Sequence, residues 1–66
     1  MKLWINGEER ALDAVADVAE LVSALGLDRR KVAVERNLEI VPRSVYDATP
    51  LHEGDRIEIV HFIGGG

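Results

Sequence analysis

Cysteine is absent from this chain of 66 residues. No disulfide staples the fold, and no side-chain thiol is available for nucleophilic or redox chemistry. Long apolar runs are absent too. Nothing approaches the roughly 20 consecutive apolar residues that a membrane helix needs. Lys2 leads at once into an alternating stretch, not into the apolar core of a secretory signal. The expectation is a cytoplasmic protein with no membrane partner. Basic residues are few: Lys and Arg total 8 against 12 Asp and Glu, for a formal net charge of −4. That balance repels phosphate backbones and argues against nucleic acid as a partner. The only basic run, Arg29-Arg30-Lys31, reads as a solvated loop after a helix.

Length is also in short supply. The chain makes one domain, and a domain this size buries only about 60% of the surface its unfolded chain exposes. An enclosed catalytic pocket would compete with the core for residues. Hydrophobic residues at 47% and charged residues at 30% still describe a globular protein. A carrier, a binding module or a subunit is therefore favoured over an enzyme.

What is present begins with strand periodicity. In Met1 to Ile5, Leu3 and Ile5 face one way, Lys2 and Trp4 the other. Asn6-Gly7 supplies a tight turn, and Glu8 to Leu12 reads as the polar returning strand of a hairpin. A helix follows. Asp17 is its N-cap, Glu20 completes a capping-box spacing, and Val18, Leu21, Val22 and Leu25 form one apolar face. Gly26 stands where a left-handed C-cap belongs. An earlier helix start near Asp13 is compatible with Ala14-Val15-Ala16. Val32 to Arg36 and Glu39 to Val41 read as strands around a turn at Asn37-Leu38. Arg43 to Pro50 lacks a clean period and reads as loop with one helical turn near Tyr46. After a turn at Glu53-Gly54-Asp55, Arg56 to Phe62 is the strongest β stretch, with Ile57 and Ile59 on one face and Val60 and Phe62 on the other. No internal repeat interrupts this order.

Hairpin, helix, then strands is the order of an α+β domain with one helix packed across a mixed sheet. With a right-handed crossover and neighbouring first and last strands, the arrangement is a β-grasp, the ubiquitin-like fold. The expected division is a β-grasp domain over 1–63 and a flexible glycine tail over 64–66.

The usual catalytic constellations do not assemble. His52 and His61 flank a turn and a late strand, without the spacing of a metal site. The carboxylates of Asp13, Asp17, Glu20, Glu53, Asp55 and Glu58 are scattered over caps, turns and exposed positions. Ser23 and Ser44 lack a nucleophile-elbow setting. The glycine triplet closes the sequence instead of opening a helix, so it is no phosphate loop.

That leaves Gly64-Gly65-Gly66 itself. Successive glycines cost conformational entropy and contribute no packing. The triplet admits two readings: a Gly-rich remnant, or a tail shaped for reach. Three extended residues span roughly 10 Å and, lacking side chains, enter a channel that excludes other residues. Direct continuity with a strand favours reach, which would present the Gly66 carboxylate inside another protein.

The segment Arg56-Ile57-Glu58-Ile59-Val60-His61-Phe62-Ile63-Gly64-Gly65-Gly66, preceded by Glu53-Gly54-Asp55, closely resembles the C-terminus of the ThiS family, the sulfur carriers of bacterial thiamine biosynthesis. Met1 to Gly7, Val32-Ala33-Val34-Glu35 and Ile40-Val41-Pro42-Arg43-Ser44 resemble the same family, so the likeness covers the whole chain. Tyr46 stands where many relatives have tryptophan, and Leu38 where glycine or a polar residue is commoner. The resemblance implies that the Gly66 carboxylate is adenylated by an E1-like, ThiF-type adenylyltransferase that consumes ATP. Sulfur from a desulfurase system then makes a thiocarboxylate, which a ThiG-type thiazole synthase accepts. Gly64 and Gly65 would be read by these partners. Apart from the covalent adenylate and thiocarboxylate on Gly66, no cofactor or metal is implied. The lack of cysteine agrees with sulfur carriage at the terminus. In a β-grasp, Trp4, Val60 and Phe62 would share the sheet face away from the helix, a candidate docking surface for the activating enzyme. Competing readings are the small subunit of molybdopterin synthase, a ubiquitin-like modifier of lysines, and a plain binding module.

Overall fold

A computed structural model describes residues 1–62. The five strands are β1 (Lys2–Ile5), β2 (Glu8–Ala11), β3 (Val32–Arg36), β4 (Glu39–Val41) and β5 (Arg56–His61), in the order β2-β1-β5-β3-β4. β5 runs parallel to β1 and antiparallel to β3, and the two hairpins β1-β2 and β3-β4 flank it. The last strand in sequence is thus the centre of the sheet.

Both hairpins turn on consecutive residues with positive φ: Asn6 and Gly7 at 50° and 82°, Asn37 and Leu38 at 51° and 71°. This conformation matches the twist of the flanking strands. Gly7 adopts it freely; Leu38 adopts it against its Cβ and stands 86% exposed.

The one α-helix among the described residues, α1 (Val18–Ala24), starts and stops where its caps dictate. The Asp17 carboxylate accepts from Glu20 N–H at 2.8 Å, and the Glu20 carboxylate reaches back to Ala16 N–H at 2.8 Å. These bonds satisfy donors that a helix start otherwise leaves open. The earlier start near Asp13 is not realised, because Ala14 has φ 59°, outside helical geometry. At the other end, Leu27 N–H donates to Val22 O and Gly26 N–H to Ser23 O, a Schellman closure around Gly26 at φ 74°.

α1 lays Val18, Leu21 and Val22 onto Leu3, Ile5, Val32, Val34 and Ile57 of the sheet's inner face, all buried. Tyr46 completes this core and is 1% exposed. It lies in a kinked 3₁₀ segment, Arg43–Ala48, longer than the single turn expected there. Its hydroxyl donates to Val32 O at 3.2 Å, and the Arg29 guanidinium sits 5.4 Å from its ring centroid. The basic run Arg29–Lys31 is itself a short 3₁₀ turn, capped by Asp28. Among the described residues no helix is long and apolar enough to cross a membrane.

Candidate functional site

β5 is paired with β3 from Ile57 to His61, while on its other side the contacts change from start to end. At its start, Asp55 is 7% exposed. Its carboxylate accepts from Arg36 Nε at 2.8 Å, from Asn37 Nδ2 at 3.1 Å and from His52 N–H at 2.9 Å. Burial pushes this carboxyl up, but the hydrogen bonds from His52, Asn37 and Arg36 outweigh it and hold the group below the usual aspartate value. Asn37 also exchanges hydrogen bonds with Arg56, accepting its N–H on Oδ1 at 2.9 Å and donating its own N–H to Arg56 O at 2.7 Å.

Further along, β1 gives out before β5 does. The parallel ladder runs from Trp4 N–H to Asp55 O and from Asn6 N–H to Ile57 O, both at 2.9 Å. The next rung is made by a side chain. Asn6 Oδ1 accepts from Ile59 N–H at 2.8 Å, and Asn6 Nδ2 donates to Ile59 O at 3.2 Å. The amide group thus imitates a strand residue where the backbone has turned away. Beyond it, Phe62 N–H donates to Lys31 O at 2.7 Å. Gly64, Gly65 and Gly66, the residues on which the carrier reading turns, lie outside the described residues.

The alternation of β5 sets its two faces. Ile57 is buried and Ile59 partly buried on the helix side, whereas Arg56, Glu58 and Val60 are exposed on the other. Trp4 is 37%, Val60 61% and Phe62 39% exposed. Register separates them. Trp4 lies opposite Arg56, whose guanidinium is 5.9 Å from the indole centroid. Val60 lies opposite Ala33, four residues along β5 from Arg56, or about 13 Å of strand. Val60 lies near, and Phe62 just beyond, the C-terminal end of β5, and Trp4 lies opposite its start. Ile40, 68% exposed, also belongs to this face, since it pairs with Glu35. Sequence alternation alone does not single it out. His52 precedes the Asp55 turn and His61 ends β5, so the two histidines stand at opposite ends of the strand. A groove of about 210 Å³ runs along β4 and includes no residue of β5 in its lining.

A five-stranded mixed sheet grasping one main helix, with a central last strand leading into the C-terminal glycines, places the protein in the ubiquitin-like β-grasp class. The chain belongs to the ThiS family, whose profile matches residues 3–66. It is 43% identical over 65 residues to the sulfur carrier protein ThiS of Bacillus subtilis, covering 97% of this chain and 98% of that one. The crystal structure of thiamine biosynthesis protein ThiS from Geobacter metallireducens superposes with a TM-score of 0.84 at 39% identity, over the full length of both chains. The chain is also 61% identical, end to end, to part of a thiazole synthase of Paramagnetospirillum magneticum, and spans only 20% of that protein's length. A thiazole synthase of Magnetococcus marinus matches the same way at 48% identity, again over 20% of its length.

Proposed function

We propose that this chain is a sulfur carrier of thiamine biosynthesis, working through the C-terminal carboxylate of Gly66. The observation that carries this reading is the end-to-end likeness to ThiS carriers, glycine triplet included. A carboxylate is a poor acyl donor, because oxide is a poor leaving group. An E1-like, ThiF-type enzyme overcomes this by joining the carboxylate to the α-phosphorus of ATP, with pyrophosphate leaving. A persulfide sulfur from a desulfurase system then displaces AMP, and cleavage of the S–S bond by a partner's thiol leaves a thiocarboxylate on Gly66. The chain has no cysteine of its own, so every thiol in this scheme comes from partners.

A thiazole synthase accepts the sulfur. Support comes from the thiazole synthases in which a stretch resembles this whole chain. The same full-length likeness to ThiS favours the thiamine pathway over molybdopterin synthesis. In this scheme the chain is a protein substrate, not an enzyme. Gly64 and Gly65 thread the partner's channel, and Val60 and Phe62, with Trp4 at the far end, meet its surface.

Incubation with ATP, an activating enzyme and a persulfide source, followed by intact-mass measurement, tests the proposal. The expected product is heavier by one oxygen-to-sulfur exchange; adducts on target lysines would point to a modifier instead. Phe62→Asp keeps the fold, because Phe62 lies on the exposed face, and is expected to raise the KM for adenylation about tenfold. An unchanged KM removes Phe62 from the docking surface.

A further inference from the structure

The chain's two asparagines, Asn6 and Asn37, open the turns of the two hairpins, both at positive φ. Both side chains reach across to β5. Asn37 accepts from Arg56 N–H and donates to the Asp55 carboxylate. Asn6 accepts from Ile59 N–H at 2.8 Å and donates to Ile59 O at 3.2 Å. They differ in the residue that follows. An asparagine loses its amide when the backbone nitrogen of the next residue, having shed its proton, attacks the side-chain Cγ. A side chain on that next residue obstructs the attack. Leu38 carries a branched one. Gly7 has none, and nothing lies within 4 Å of where its Cβ would stand. Asn6 and Gly7 are both exposed.

We propose that Asn6 is a site of spontaneous deamidation, held in check by its two hydrogen bonds to Ile59. The bond from Gly7 N to Asn6 Cγ forms, the Cγ–Nδ2 bond breaks, and Nδ2 leaves as ammonia with the proton that Gly7 gave up. Water then opens the cyclic imide at either carbonyl, leaving aspartate or isoaspartate. One water is consumed, one ammonia is released, and nothing is oxidised or reduced. Attack makes Cγ tetrahedral and expels the very atom that donates to Ile59 O, so the planar grip on Ile59 must be lost first. Both bonds lie where water has access, so the reactive conformers arise by local opening and not only by global unfolding.

The product cannot restore the grip. A carboxylate has no N–H for Ile59 O and sets a negative charge against it. Isoaspartate further adds a backbone carbon to a two-residue turn, on which the pairing of Ile5 with Glu8 depends. Pairing of β5 with β3, from Ile57 to His61, needs neither asparagine-linked bond to Ile59. The damage therefore falls on the first hairpin and its side of β5. This proposal does not depend on the carrier reading.

The test incubates the full chain at mildly alkaline pH, alone, in low guanidinium chloride and in fully denaturing guanidinium chloride. Anion exchange separates each product by its added negative charge, and peptide mass mapping locates the change. The expected result is conversion at Asn6 and not at Asn37. In the folded chain it should run about tenfold or more slower than in the denatured one, at a rate flat across low denaturant. Purified products, and Asn6→Asp as a reference for one of them, should melt below wild type. Equal rates folded and denatured overturn the proposal, as does an Asn6 that stays intact in denaturant. A folded-state rate that climbs in step with global unfolding overturns the local check, and products that melt at or above wild type overturn the stated consequence.

Discussion

β5 is paired with β3 from Ile57 to His61, and its two ends differ in what else holds them: a buried carboxylate at the start, the exposed Asn6 amide and the Phe62–Lys31 bond at the end. Asp55 gathers Arg36, Asn37 and the His52 N–H around a nearly inaccessible group. Asn6 and the Phe62–Lys31 bond secure the other end where water has access. The difference fits a strand with two tasks. One end anchors the sheet, and the other is the last described stretch before the glycines on which the proposed carrier role turns. Local opening free energies are expected to fall along β5 toward its C-terminal end.

The largest effect expected from breaking this contrast is at the anchored end. Asp55→Ala leaves Arg36 and Asn37 without their acceptor and should cost about 2 kcal/mol in urea unfolding. The same group makes stability depend on pH. Its carboxyl titrates lower folded than unfolded, so the folded state binds fewer protons in that window. The stabilisation is complete above the unfolded value, about 4, and is lost as pH falls through the depressed one. Asp55→Asn should flatten the acid side of the stability profile; an unaltered acid limb would deny Asp55 this role. The smaller effect belongs to the tail end. Asn6→Ala removes the surrogate rung and places alanine at φ 50°, for a cost of about 1 kcal/mol. Amide exchange should quicken at Ile59 more than at Ile57. Equal global costs for the two variants, with uniform exchange along β5, would erase the distinction between the ends.

Much of this arrangement is legible in the residues. Asn6-Gly7 marks the first hairpin, Asp17, Glu20 and Gly26 bracket α1, and the alternation of Leu3, Ile5 and Ile57 identifies the inner face. Those signals are local, and local geometry suffices to read them. Tyr46 is not legible in this way. Its 3₁₀ segment is too short and kinked to carry a helical period, and its burial depends on Val32 and Arg29, distant in sequence. The false early helix start has a similar cause: alanine does not oppose helix, and only the chain path explains the left-handed turn at Ala14. Alternation assigns Trp4 and Val60 to one face, as the pairing registers have it. Their spacing along it follows from the register of β1 against β5, which alternation does not encode. Composition and likeness alone single out the glycines at 64–66, which lie outside the described residues.

The most direct test compares the intact chain with one lacking Gly66, each given ATP, the activating enzyme and a persulfide source, and then offered to thiazole synthase. The intact chain should gain one sulfur in place of one oxygen and lose it again to the acceptor, while the shortened chain, folded as before, should stay at its starting mass. Sulfur uptake and delivery by the shortened chain would contradict the assignment of the working group to the Gly66 carboxylate.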